Sequence, residues 1–140
     1  MVRINLINPK NLTDQHLIAE YNEILILCGS TKKFPKIKNM PSEYKLGKGH
    51  ITFFKNKIVY LQKRHELIKK EMIVRGFKPK KKISILKLSK SLLNDWSPRK
   101  EDYIIIKQRI TERILQKPQW YRYYGKHYPK EFFVELTAKA

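Results

Sequence analysis

The sequence is poor in the residues that build covalent or metal-held frameworks. It has one cysteine, Cys28, which excludes an intramolecular disulfide and any paired-cysteine zinc knuckle. The flanking Leu25, Ile26 and Leu27 mark that thiol as a buried packing group. The four histidines, His16, His50, His65 and His127, form no HxxxH pair, so a zinc site is not expected. Glycine is scarce as well. Gly47-Lys48-Gly49-His50 is too short for a phosphate-cradling loop, which argues against a nucleotide hydrolase. No apolar run approaches the ~20 residues of a membrane span, and Arg3, Asn5 and Asn8 interrupt any signal-peptide pattern, so an intracellular location is expected.

Acidic residues are the most telling shortage. Against 31 lysines and arginines stand 12 aspartates and glutamates, a formal charge of +19 over 140 residues. Self-repulsion on that scale opposes folding unless a polyanion relieves it. Nucleic acid is the leading partner, because each neutralised phosphate releases condensed counterions. An anionic membrane or an acidic protein is the lesser alternative. Hydrophobic residues make up 41% of the chain, enough for one domain with a modest core.

Periodicity predicts three main helices. Thr13 or Asp14 caps the first, in which Leu17, Ile18, Tyr21, Ile24, Leu25 and Cys28 recur at helical spacing. Gly29-Ser30 weakens it, and residues 30–50 read as a basic loop. A second helix runs from Asn56 to about Arg75, carries Ile58, Leu61, His65, Ile68 and Met72 on one stripe, and stops at Gly76. In the connector that follows, the alternation of Ile83 and Ile85 is a faint strand signal. A third helix spans roughly Pro98 to Lys117, with Ile105, Ile106, Ile110 and Ile114 expected to face inward, and Pro118 ends it.

Two constellations point to chemistry. Trp120-Tyr121-Arg122-Tyr123-Tyr124-Gly125-Lys126 interleaves aromatic faces, which stack on bases, with cations, which hold phosphates. The competing reading is that the rings cover helix ends. Arg109, Arg113 and Lys117, four residues apart on one helix face, lead into this run and favour nucleic acid. On the first helix His16, Glu20 and Glu23 share one side. A carboxylate in a basic groove does not bind phosphate; it is either a catalytic acid or base or a salt-bridge partner of lysine, and spacing alone leaves both open.

Taken together, several stretches resemble the phage-type pyrimidine-dimer DNA glycosylases with abasic-site lyase activity. They are Arg3-Ile4-Asn5-Leu6, Asp14-Gln15-His16-Leu17, Ala19-Glu20-Tyr21, Glu23, Leu46-Gly47, Gly49-His50, Thr52-Phe53-Phe54, Arg75-Gly76-Phe77 and Trp120 to Lys126, in that order along residues 1–126. The resemblance implies an all-α single domain of three main helices with long connecting loops, the N-terminal segment threaded between the helices. Residues 1–126 would form the family domain and 127–140 an extension of it. It further implies an α-amine nucleophile, supplied by Val2 once the initiator methionine is removed, that forms a Schiff base at C1′ of the damaged nucleotide. Glu23 would assist base loss and the β-elimination that nicks the strand. Arg3, Gln15 and His16 match residues around that site, and Arg109, Arg113 and Lys117 match DNA-contacting positions. Trp120, Tyr121, Arg122, Tyr123 and Tyr124 match the segment tied to lesion binding. The implied partner is damaged duplex DNA, bound by a monomer without metal or small-molecule cofactor.

The chemistry is self-consistent, since an α-amine has a pKa near 7.7–8.0 against about 10.4 for lysine and so is far more often neutral. Asn22 and Ile26 depart from the arginines of family members, and residues 24–27 are purely apolar where the family is basic. That departure bears on which lesion is read, with abasic sites as the alternative substrate. The rival from another class, a basic nucleic-acid-binding protein without catalysis, gains nothing from Glu23.

Overall fold

A computed structural model describes residues 4–85 and 87–139. Among them are five helices and no strand: α1 (Asp14–Lys33), α2 (His50–Phe54), α3 (Ile58–Val74), α4 (Lys100–Gln116) and α5 (Lys130–Ala138). The all-α class with three long helices and a threaded N-terminal segment is therefore the one expected. No helix among the described residues is long and apolar enough to cross a membrane.

Helix α1 starts where Thr13 Oγ1 accepts the His16 amide, satisfying a donor that the first turn leaves open. Gly29-Ser30 does not end it. Thr31 is buried and its hydroxyl donates to the Leu27 carbonyl, so the helix runs on to Lys33 and stops just before Pro35, which disfavours helical geometry in its predecessor. Helix α3 ends as Gly76 predicts. Gly76 N donates to Ile73 O and Phe77 N to Met72 O, with Gly76 at φ +90°.

On α4, Ile106, Ile110 and Ile114 are buried, as expected, but Ile105 is 40% exposed. Steps of four from Ile106 keep one face inward, and Ile105 lies about 100° around the helix from it. The Ile83–Ile85 strand signal is likewise overturned. Ile83 is buried against the core, yet no strand runs alongside it among the described residues. Two short helices escaped the periodicity reading. Gly49, at φ +91°, starts α2; a Cβ there would stand 2.8 Å from Pro41 Cγ, so only glycine fits. Helix α5 folds the end of the chain onto α4, burying Phe133 and Leu136.

The feature that positions the site is the N-terminal segment. Ile4, Leu6 and Ile7 are core residues, and buried polar groups fix the backbone between them. Ile4 N donates to His50 Nε2 at 3.0 Å, and Tyr44 Oη donates to Ile4 O at 2.8 Å. His50 Nδ1 lies 2.9 Å from the Lys45 carbonyl, which sets the proton on Nδ1 and leaves Nε2 as the acceptor. Asn5 N donates to Glu20 Oε1, and Asn5 Oδ1 accepts from both Ile7 N and Arg64 Nη2. Leu6, held by this network, adopts φ +63°, which bulky residues rarely tolerate.

Candidate nucleic-acid interface and catalytic groove

The carboxylates of α1 divide by environment. Glu20 is fully buried, and Arg64 donates to it from Nε (2.7 Å) and Nη2 (3.0 Å). Of the two readings left open for the carboxylates beside His16, Glu20 takes the salt-bridge one, with a guanidinium on α3 in place of a lysine drawing it inward. Glu23, one turn further along the same side, is half-buried. Val2 and Arg3 lie outside the described residues.

His16 is buried, with Nδ1 2.8 Å from Thr13 Oγ1 and its ring stacked on Tyr121 at 5.0 Å and 6°. Burial pushes its pKa down to about 4, so the ring is neutral near pH 7. His16 and Tyr121 line a cavity of about 390 Å³ together with Gln15, Ala19, Arg113 and Lys117, and Trp120 stands at its edge, 62% exposed. That volume falls within the usual small-ligand range of ~300–1,000 Å³. Arg113 Nε is buried and has no hydrogen-bond partner among the described residues, leaving a charged donor beside the cavity. Arg109 stands apart, 3.7 Å from Glu112. Of the three cations on that helix face, two reach the cavity.

The aromatic run splits into two groups. Trp120 and Tyr121 belong to the cavity, while Tyr123 and Tyr124 cover the Arg75 guanidinium at 4.7 and 4.9 Å from their ring centres. Tyr124 Oη donates to Glu71 and Tyr123 Oη to the Lys10 carbonyl. The packing reading of the run therefore holds for Tyr123 and Tyr124, while Trp120 and Tyr121 face the cavity. Tyr123 and Lys126 exchange backbone hydrogen bonds across Tyr124 (φ +52°) and Gly125 (φ +76°), a tight type I′ turn. Tyrosine accepts the left-handed conformation here because Asp14 binds both the Tyr124 and the Gly125 amides.

Gln15 fastens the same segment from the other side. Its Nε2 donates to Trp120 O and its Oε1 accepts from Arg122 N, both at 2.9 Å. The Arg122 side chain is exposed and its Nε donates to His127 Nε2. Beneath this docking lies Arg75, which donates to Glu71, Asp14 and the Pro9 carbonyl. Asn5, His50, Tyr44 and the Glu20–Arg64 and Asp14–Arg75 pairs were not singled out by residue pattern. Only the resemblance, through Asn5, Gly49-His50 and Arg75-Gly76-Phe77, touched most of them. Cys28 is buried and its thiol is pushed up to about 12 by desolvation, so it stays protonated. No group of three His, Cys, Asp or Glu among the described residues is placed to hold a metal ion.

The geometry thus presents a basic, aromatic-edged cavity at the start of α1, a half-buried carboxylate two turns on from His16, and an N-terminal segment fixed from Ile4 onward. The family model for pyrimidine dimer DNA glycosylase matches residues 1–85, which carry α1 to α3 and that whole N-terminal anchorage. The chain belongs to this family of DNA-repair glycosylases.

Proposed function

We propose that the protein removes a damaged base from duplex DNA and then cleaves the strand as an abasic-site lyase, with the N-terminal α-amine as nucleophile and Glu23 as its carboxylate partner. The observation that carries this reading is the anchorage of Ile4 and Asn5. Their backbone is bonded to His50 and to Glu20, and Glu20 lies one turn from Glu23 on α1. An anchorage on the residue one turn from Glu23 supports pairing the Val2 amine with that carboxylate. Once the initiator methionine is removed, the amine of Val2 is the group that attacks.

The steps balance without an external redox partner. The amine nitrogen bonds to C1′ and the glycosidic bond breaks, its electrons leaving with the base. Opening of the C1′–O4′ bond then gives a protonated Schiff base. Removal of a proton from C2′ expels the 3′ phosphate, and water returns the amine. Glu23 would stabilise the cationic intermediate and move the protons, work that pure phosphate binding does not require. Arg3 would position the strand, with Arg113 and Lys117 holding phosphates and Trp120 and Tyr121 meeting bases. His16, held neutral, supports the Tyr121 ring, and Gln15 fixes the segment that bears it. We read residues 127–140 as an extension of the same domain, since α5 buries its apolar face on α4, and the working unit as a monomer without metal or cofactor. DNA repair sets the workplace inside the cell.

Borohydride trapping tests the proposal. Protein beginning at Val2 should form a covalent adduct with duplex DNA bearing an abasic site and with duplex DNA bearing a thymine dimer. An adduct on the abasic duplex alone would make the protein chiefly a lyase. No adduct on either would leave a DNA-binding protein that does not use this mechanism.

A further inference from the structure

Residues 15–31 contain no lysine or arginine, although the chain has 31 of them. This cation-free stretch is the part of α1 that carries Glu23 and three residues of the cavity wall, Gln15, His16 and Ala19. Helical register puts Gln15, Ala19, Asn22 and Ile26 in one row, at spacings of four, three and four, with Glu23 beside it. Asn22 is exposed and Ile26 is 63% exposed, whereas Leu17, Ile24 and Leu27 of the same helix are buried. Exposed Lys32 and Lys33 begin one and a half turns beyond Ile26, and Lys36 and Lys38 continue the basic edge.

A lone exposed aliphatic residue is ordinary on a protein surface. The position is what gives this one meaning. A polyanion held by Lys32, Lys33, Arg113 and Lys117 is drawn across the row that contains Ile26, and an isoleucine has nothing to offer a phosphate. It gains only by leaving water against something apolar, and in duplex DNA that is the face of the base stack.

We propose that Ile26 is an apolar wedge: it enters the base stack beside the damaged nucleotide, one turn of α1 from Glu23, and fills the gap that opens when a nucleotide leaves the stack. Its preferred substrates are lesions whose stacking is already weakened, abasic sites foremost, because the wedge must displace existing base contacts. The inference rests on the catalytic reading of Glu23 for its location, but unstacking can be measured without any reaction.

The test uses a duplex with a tetrahydrofuran abasic analogue, which has no aldehyde to react, and 2-aminopurine as the neighbouring base. Saturating wild-type protein should raise the 2-aminopurine fluorescence as that base unstacks. Ile26→Ala and Ile26→Asn should cut the rise by about half or more, and Ile26→Leu should restore it. In parallel, trapping on a true abasic duplex should slow about tenfold in Ile26→Ala, and a bubble of unpaired bases around the site should relieve that deficit. An unchanged fluorescence rise in Ile26→Asn, or an equal deficit on paired and bubbled DNA, overturns the wedge. Failure of wild-type protein to form any adduct overturns the lyase reading instead, and the fluorescence comparison still decides the role of Ile26.

Discussion

Arg64 and Glu20 form a doubly hydrogen-bonded pair, at 2.7 and 3.0 Å, with both side chains out of water. A buried guanidinium without its carboxylate is costly. Glu20→Gln should therefore destabilise the fold by about 3–5 kcal/mol, read as a fall in urea midpoint at unchanged slope. Replacing the pair together, Glu20→Leu with Arg64→Met, should recover most of that loss. A loss under about 1 kcal/mol in Glu20→Gln would mean that water reaches Arg64.

Glu23, one turn away, should behave in the opposite manner. Glu23→Gln should leave abasic-duplex binding intact or tighter while strand scission falls by about 10²–10⁴-fold. Gel-shift and nicking assays on the same duplex separate the two effects, and scission at the wild-type rate would remove Glu23 from the chemistry.

The two carboxylates show what the sequence could and could not convey. Both sit on the same side of α1 in a basic chain, and nothing in the spacing says which one meets an arginine 44 residues later. The α1 cap, the Gly76 terminus and the Ile106, Ile110, Ile114 face were legible because capping and periodicity are local. Ile105 and the end of α1 were misread for complementary reasons: one residue of rotation decides burial, and a buried Thr31 outweighs a weak Gly29-Ser30 pair. The docking of Trp120 and Arg122 on Gln15 depends on tertiary contact that no local pattern encodes.

That docking yields a prediction of its own. Gln15→Ala removes two hydrogen bonds to the aromatic segment, each worth about 0.5–1.5 kcal/mol. Affinity for an abasic duplex should fall roughly tenfold, measured by fluorescence anisotropy. Unaltered affinity would show that the Asp14 contacts hold the segment unaided.

His16 makes stability depend on pH. Its folded pKa is depressed from 6.5 to about 4, so between those values the unfolded chain binds a proton that the folded chain refuses. The stabilisation is complete above about pH 6.5 and drains away as the pH falls toward 4. His16→Phe keeps a ring against Tyr121 and cannot titrate. Urea unfolding at pH 7, 5.5 and 4.5 should show wild type losing more stability than this variant, and parallel profiles would contradict the assignment.

Lys117 at the cavity is expected to meet phosphate and no base. Lys117→Ala should weaken binding to all duplex sequences alike and reduce the log–log salt slope by about 0.9, the value for one phosphate. A change confined to lesion-bearing DNA would point to a recognition role.

The Gln15–Trp120 bond joins residues 105 positions apart, and Asp14 reaches Gly125 across a still longer interval. One wall of the cavity proposed to bind DNA is thus drawn from the first turns of α1 and the other from the segment around Trp120, synthesised some hundred residues later. During synthesis, α1 can form and the N-terminal segment can be captured by α3 while the far wall does not yet exist. A ribosome that stalls before Trp120 would release a chain with the proposed nucleophile and carboxylate but no aromatic edge to receive a base. On the proposed reading, the surface that receives a base is in this sense the last part of the site to be made.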